Sequence, residues 1–509
     1  MSRFKKFAHS LFSGYALMGA NILFTFASVP LALHYLSKSE FGLWALTAQL
    51  AGYVALIDLG MSGSIARILI DYKDEKEGTN YGKVLLTGAL VNLVQGLLIF
   101  IFGSVLAFFL QDILNIESTL RRDFLLLSIG QCALLGGGFA VQIFGITLIA
   151  NQRYDVGNYS HAVCFFVNFG VMWFCFAQGV GVYGLLWGQA AQQGIAIVIA
   201  TAGCIRLGML PARHRWGRPT WQLFCEVFSL GRDIFMFALG SQLVNASQTI
   251  LITRILGLEA CAVWSICIRP FSMLLQFLGR INDFTYAGFA EILVQNDHGR
   301  LLRRFKSLAV LSASLAVISG GMLVLCNQSF LFLWTKGKVS WPLLNDGLLA
   351  VWLVTITLGR IHTGFITVTK DFRVIRYLYF VEGIAFIGAS LFLLPYGGMT
   401  AMLAVSIASS MVFTLQYALR RTAGYFEIRL VEPSFRWLLP AAKCGTAMIP
   451  AITILWFATT SCGPLVLFLL RATIGSVAAG LILWHWGLEA ELKVEIVERI
   501  KRKYGNLNG

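Results

Sequence analysis

Apolar residues in this chain come in unbroken blocks of about twenty or more, and a block such as Val84–Leu110 holds no Lys, Arg, Asp or Glu. At 1.5 Å per residue, a helix of that length crosses about 30 Å of hydrocarbon. A water-facing surface needs charge. Only 13% of these residues are charged and 57% are hydrophobic, whereas about a quarter are charged in soluble domains. A transmembrane β-barrel is excluded, because its strands alternate at every second residue and leave no such runs. The fold class expected is an all-α polytopic membrane protein.

Fourteen spans are expected: Ser10–Tyr35, Phe41–Gly63, Val84–Leu110, Phe124–Ala150, Val156–Gln178, Tyr183–Leu207, Leu230–Thr253, Glu259–Val294, Leu308–Trp334, Leu343–Thr369, Val374–Leu394, Thr400–Leu419, Ala441–Thr459 and Pro464–Trp484. The longest gaps, Gly208–Ser229 and Arg420–Pro440, hold about twenty residues each, so no soluble catalytic domain fits. Arg3, Lys5 and Lys6 precede the first run as in a signal peptide. At about 25 residues that run exceeds a signal h-region of 7–15, and it reads as a retained span.

Charge sets the orientation. When loops are assigned alternately to two sides, thirty of the forty Lys and Arg fall on one side and six on the other. The rich side takes Arg3, Lys5 and Lys6, the Arg206–Arg232 stretch, Arg300–Lys306, Arg420–Lys443 and the tail from Lys493. Short basic loops stay cytoplasmic, which places both termini inside. The net charge of +15 is accounted for in this way and needs no nucleic-acid partner. With Arg206, Arg232, Arg376 and Lys443 at span ends counted with the loops, four arginines remain deeper within spans: Arg269, Arg280, Arg360 and Arg471. An Arg near the bilayer centre costs about 2.5–3.5 kcal/mol on insertion scales unless it meets water, protein or an anion.

The ten cysteines are scattered, most of them inside apolar spans, with no CxxC pair or Cys/His cluster at zinc spacing. They read as small hydrophobes. No GxxxxGK[ST], GxSxG or HExxH is present, so nucleotide hydrolysis and enzymatic catalysis have no support. Gly136–Gly138 lies in an apolar span and reads as close helix packing.

Leu36-Ser37-Lys38-Ser39-Glu40-Phe41-Gly42-Leu43-Trp44 is echoed 220 residues later by Leu256-Gly257-Leu258-Glu259-Ala260-Cys261-Ala262-Val263-Trp264. Each segment joins an outgoing span to a returning one, six spans apart. An even number of spans per unit makes a parallel repeat, as in transporters whose two lobes rock about a midplane site. The organisation expected is residues 1–208 as one lobe, 209–229 as a cytoplasmic linker and 230–420 as the second lobe. Residues 421–440 form a cytoplasmic loop, and 441–509 the last two spans with a basic tail.

The Gly19–Trp44 opening resembles the start of polysaccharide-biosynthesis flippases of the multidrug/oligosaccharidyl-lipid/polysaccharide exporter superfamily. Asp58-Leu-Gly-Met-Ser-Gly-Ser-Ile-Ala-Arg67 is similar to the stretch closing their second helix. Ile255–Pro270 resembles the start of their eighth, and Leu331-Phe332-Leu333-Trp334 the close of their ninth. The resemblance runs from about Phe12 to Leu419; the last two spans match in number only. It implies movement of polyprenyl-pyrophosphate-linked sugars from the cytoplasmic to the periplasmic leaflet, with a polysaccharide polymerase and glycosyltransferases as partners.

Residues inside the membrane carry the candidate site. Arg269 precedes Pro270, which removes a backbone donor. Either Arg269 is a cavity-facing cation beside a hinge, or the carbonyls freed at a kink satisfy it. Arg280 and Asp283 are neighbours on one face, as an ion pair or as a ligand site. Arg360 either lines a cavity or snorkels to the interface. Arg471 and Glu382 lie near the middle of their spans. Mutual pairing is the plain expectation for them, and a head-group contact for Arg471 the sharper one. Asp58 is a protonatable coupling residue, or a cap, or a partner for Arg67. The substrate-binding set is thus Arg269, Arg280, Arg360 and Arg471, and the coupling or gating set Asp58, Asp283, Glu382 and Pro270.

Sign decides the function. The first span holds no acidic residue, while the eighth and tenth hold three arginines, an arrangement that repels organic cations and attracts phosphate. The expected activity is flipping of an undecaprenyl-pyrophosphate-linked oligosaccharide for O-antigen, capsule or exopolysaccharide in a bacterial inner membrane. No cofactor is called for, with H⁺ or Na⁺ as optional coupling ions. A lipid II flippase and a cation-coupled multidrug antiporter are the alternatives. A membrane-embedded glycosyltransferase lacks the outer loop it would need.

Overall fold

The computed structural model describes residues 3–72, 79–369, 373–459, 463–489, 493–494 and 497–498, and all regular structure among them is helical. The chain divides into two compact units, Met1–Ser265 and Ile266–Gly509.

The first unit contains α1 (Arg3–Tyr35), α2 (Lys38–Val54), α3 (Met61–Tyr72), α4 (Asn80–Ile113), α5 (Arg121–Val141), α6 (Ile143–Ala150), α7 (Tyr154–Ala177), α8 (Tyr183–Arg206), α9 (Trp221–Asn245) and α10 (Ser247–Leu256). It ends within α11 (Leu258–Cys267). Helix α2 starts on a capping box, with Ser37 and Glu40 each satisfying the other's backbone N–H. Helix α4 shows the membrane pattern plainly. Its inward face carries Gly88, Asn92, Gln95, Gly96 and Gly103, while Leu90, Leu93, Leu97, Ile101, Val105 and Phe108 are exposed. Small residues let backbones approach where lipid removes the hydrophobic drive between helices. A β-carbon on Gly96 would strike the Gly136 carbonyl, and one on Gly136 would strike that of Gly96. The α4–α5 crossing therefore uses Gly136 as the sequence suggests.

The second unit contains α12 (Arg269–Val294), α13 (His298–Thr335), α14 (Leu343–Val368), α15 (Arg373–Ser410), α16 (Gln416–Tyr425), α17 (Leu439–Ala458) and α18 (Pro464–Ile482). Phe289, Phe305, Phe365 and Trp437 form one of its buried cores. His362 sits inside it with Nδ1 3.0 Å from Thr422 Oγ1.

Eleven segments among the described residues are long and apolar enough to cross a membrane, against fourteen expected. One of them, Tyr377–Tyr425, runs through a bend at Gly398 (φ 55°, ψ −144°) and covers two expected spans. Helices α8 and α9 are not among the eleven. The first carries Gln189, Gln192 and Gln193, and the second Glu226, Arg232 and Asp233, which lower their apolarity.

Four expected continuous spans are broken, among them the fourth at Gln142 between α5 and α6 and the seventh at Ala246 between α9 and α10. The second breaks after Asp58, where Leu59 and Gly60 take φ of 50° and 72° and no helix can continue. The eighth, expected from Glu259 to Val294, divides at Ile268 between α11 and α12. Pro270 occupies the first turn of α12, where its missing N–H costs nothing. The break precedes the proline.

Candidate functional site

Helix α12 carries a polar stripe. Arg269, Ser272, Gln276 and Arg280 are spaced three, four and four residues apart, which keeps them on one face over about three turns. Ser272 satisfies itself on the Ile268 carbonyl at 3.0 Å. Arg269 is half-buried and has neither a hydrogen bond nor an ion-pair partner among the described residues. The carbonyls freed at the break do not take it up. Arg280 is exposed and likewise has no partner among them. The expected Arg280–Asp283 pairing rests on the Asp283 side chain, which lies outside the described residues.

Arg360, on α14, joins this face. A β-carbon at Gly279 would stand 2.6 Å from Arg360 Nη1 and 3.1 Å from Nη2, so the guanidinium rests on α12 where a side chain is missing. Gly279 immediately precedes Arg280, so Arg360 meets α12 within one residue of that second arginine. The Tyr286 hydroxyl donates to the Arg360 carbonyl at 2.9 Å and lies over Gly364, fixing the seam one turn further along. Arg360 is exposed where it crosses.

Arg471 is placed elsewhere. It is buried in α18, donating from Nε to Thr459 Oγ1 at 2.9 Å and from Nη2 to the Trp456 carbonyl at 3.3 Å. Its guanidinium carbon stands 4.3 Å from the centroid of the Trp456 ring. These partners leave Arg471 packed against α17. The expected pairing with Glu382 is not formed. Glu382, buried on α15, instead accepts from the Thr414 hydroxyl in the π-turn Met411–Leu415, with Ser410 and Tyr379 beside it.

Asp58 is a local cap. Its Oδ1 accepts from the backbone N and hydroxyl of Ser62 at 3.2 and 2.5 Å, and its carbonyl accepts from Gln95 Nε2 at 2.8 Å. No ion pair links it to Arg67, which is exposed. Sequence reasoning passed over one carboxylate altogether: Asp346, fully buried in the first turn of α14 against Asn327 of α13. The buried asparagine in the preceding span is the signal that marks it.

No cluster of three or more metal-ligating side chains occurs among the described residues. What the α12–α14 seam offers chemically is a set of guanidinium donors at membrane depth. Paired N–H groups of this kind match the oxygens of a phosphate or carboxylate.

The family model described as polysaccharide biosynthesis protein matches residues 34–335, more than half of the sequence. The chain belongs to that family. No curated protein matches it in sequence. Among solved structures, this polysaccharide biosynthesis protein is similar to the lipid II flippase MurJ in an inward closed conformation. The TM-score is 0.67 at 12% identity, covering 94% of this chain and 98% of that one. It is also similar to an inward-facing multidrug resistance transporter of the MATE family, in the MOP superfamily, with a TM-score of 0.59 at 12% identity over 79% and 98% of the two chains. A MOP superfamily transporter from Pyrococcus furiosus, described by a binding pocket of reverse polarity, matches with a TM-score of 0.53 at 14% identity over 84% and 97%. The fold of this polysaccharide biosynthesis protein is therefore that of MOP-superfamily transporters, and it is a multi-pass membrane protein.

Proposed function

We propose that this chain flips a polyprenyl-pyrophosphate-linked oligosaccharide from the cytoplasmic to the periplasmic leaflet of a bacterial inner membrane by alternating access. One observation carries the reading: Arg269 and Arg280 lie on one face of a membrane-spanning helix with no anionic partner of their own among the described residues. A permanent cation at that depth is costly unless it meets an anion, and a pyrophosphate head group is such an anion. Arg360, crossing at Gly279, adds a third guanidinium to the same seam. Membership of the polysaccharide biosynthesis family agrees with a sugar-bearing cargo, and the transporter fold with a flipping step.

In this mechanism the arginines bind and orient the diphosphate while the prenyl tail stays in lipid. The break at Ile268, between α11 and α12, supplies a hinge at the depth of Arg269. The basic loops and tail face the cytoplasm, so the cargo's two negative charges leave a negative interior. At about 2.3 kcal/mol per charge per 100 mV, the membrane potential contributes roughly 4–5 kcal/mol to outward movement. The product serves O-antigen, capsule or exopolysaccharide assembly, with a polymerase and glycosyltransferases as neighbours in the pathway.

The test is complementation of cells lacking the protein, scored by lipid-linked oligosaccharide trapped on the cytoplasmic leaflet. Arg269→Ala and Arg280→Ala insert normally and fail to export. Normal export by both variants sinks the assignment of the anion site.

A further inference from the structure

Helix α14 begins with a carboxylate that no charged group among the described residues pairs. Asp346 is 0% exposed, and Asn327, facing it from α13, is 3% exposed. Asn327 Nδ2 donates to Asp346 Oδ1 at 2.6 Å. The remaining two atoms of the pair, Asp346 Oδ2 and Asn327 Oδ1, are both buried acceptors that no donor among the described residues meets in full hydrogen-bonding geometry. The groups around them bring no cation. The Trp341 indole faces the carboxylate as a neutral N–H donor, and the Cys267 thiol stands beside it. Neighbouring Asn345 is occupied by the Thr400 hydroxyl at 2.7 Å, just past the Gly398 bend of α15. Lys336 and Lys338, in the turn after α13, are exposed. Arg471 approaches Cys326, one residue before Asn327, but commits its Nε and Nη2 to Thr459 and the Trp456 carbonyl.

An ionised carboxylate buried without a cation costs several kcal/mol. Two buried acceptors left empty side by side add to that cost. A single proton removes both problems. Placed on Asp346 Oδ2, it makes that oxygen a donor, neutralises the charge, and gives Asn327 Oδ1 the partner it lacks. The acid and the amide then exchange two hydrogen bonds, each group donating once and accepting once.

We propose that Asp346 and Asn327 form a proton-binding site, a carboxylic acid–amide pair that holds one proton between α13 and α14. Its position in the first turn of α14 gives the site a reason to release that proton as well. The N–H groups at a helix N-terminus favour a negative charge by about 0.3–1 kcal/mol. Hydration of the pair, or a cation reaching it, then leaves a carboxylate that the helix end stabilises. Combined with the transport reading above, the site names the proton as coupling ion. The test does not depend on that reading, because it observes the proton itself.

The experiment is infrared difference spectroscopy of the full-length protein in lipid bilayers, exchanged between acidic and alkaline sodium-free buffers. The wild type shows the carbonyl stretch of a protonated carboxylic acid. Asp346→Asn, which preserves shape and replaces the acid–amide pair by an amide–amide pair, loses that band. Glu382→Gln, which removes the buried carboxyl of α15, retains it. Asn327→Ala shifts the band to the position of an acid without an amide partner, and this variant decides the matter if Asp346→Asn fails to assemble. The proposal is overturned if the wild type shows no such band, if Asp346→Asn keeps it, or if Asn327→Ala leaves it unmoved. It is also overturned if sodium, but not choline, replaces the band by an ionised carboxylate, since the occupant is then a metal cation.

Discussion

The guanidinium of Arg360 rests on Gly279, in the one place along that stretch of α12 where no side chain stands in its way. The contact is with the flexible end of an arginine, so an added methyl group displaces the arginine and leaves the backbone where it is. Gly279→Ala is therefore expected to insert and unfold like the wild type while losing export as severely as Arg360→Gln. Thermal unfolding in detergent and the oligosaccharide-trapping assay together check this. Normal export by Gly279→Ala would remove Arg360 from the site.

Arg269 and Arg471 are predicted to behave in opposite ways. Arg471 has two hydrogen bonds and a ring face, all on α17. Replacing it by Leu is expected to cost about 2–4 kcal/mol of stability, counting a charge-assisted hydrogen bond and a cation–π contact. Arg269 has no partner to lose among the described residues. Arg269→Gln should leave the unfolding temperature unchanged or raised, and abolish export. Equal destabilisation by the two substitutions would show Arg269 to be packed protein.

Asp58 caps α3 through Ser62, so its role is geometric. Asn caps about as well as Asp, and Asp58→Asn should retain export across the pH range. Asp58→Ala should cost about 1 kcal/mol of stability. Loss of export in the Asn variant at full stability would make Asp58 a coupling residue instead.

Helical position was legible in the sequence and azimuth was not. The apolar runs located the helices, and Gly136 announced a close crossing because a glycine among large apolar residues has little other use there. The three arginines of the α12–α14 seam could be assigned to long apolar helices from the sequence alone. The same reasoning paired Arg471 with Glu382, because both lie mid-span, yet each turns to partners closer in the chain or on another face. Trp456 and Thr459 are only fifteen and twelve residues from Arg471. Asp346 was missed because a carboxylate in the first turn of a span looks like an interfacial cap, and only the packing of α13 shows that it is enclosed. The breaks at Asp58–Gly60 and Ile268 fall inside longer apolar runs, so a reading by run length passes over them although Gly60 and Pro270 lie beside them.

The two short segments that echo each other in sequence meet within the first unit, and this gives the last prediction. Gly42 of α2 lies against the backbone of Leu258 in α11, and Cys261 Sγ donates to the Gly42 carbonyl at 3.4 Å. In the two echoed segments Gly42 occupies the position that Ala262 takes in the second. A β-carbon on Gly42 would strike the Leu258 carbonyl oxygen and stand 3.3 Å from Ala262 N. Those atoms are main chain at the start of a helix and have no rotamer to escape into. Gly42→Leu is accordingly expected to prevent stable assembly, seen as loss of the monodisperse peak in detergent and loss of export together. Cys261→Ala removes only a weak thiol donor, and should cost well under 1 kcal/mol beyond its small change in volume. If Gly42→Leu assembles and exports normally, the close approach of the two repeated segments is not required for folding.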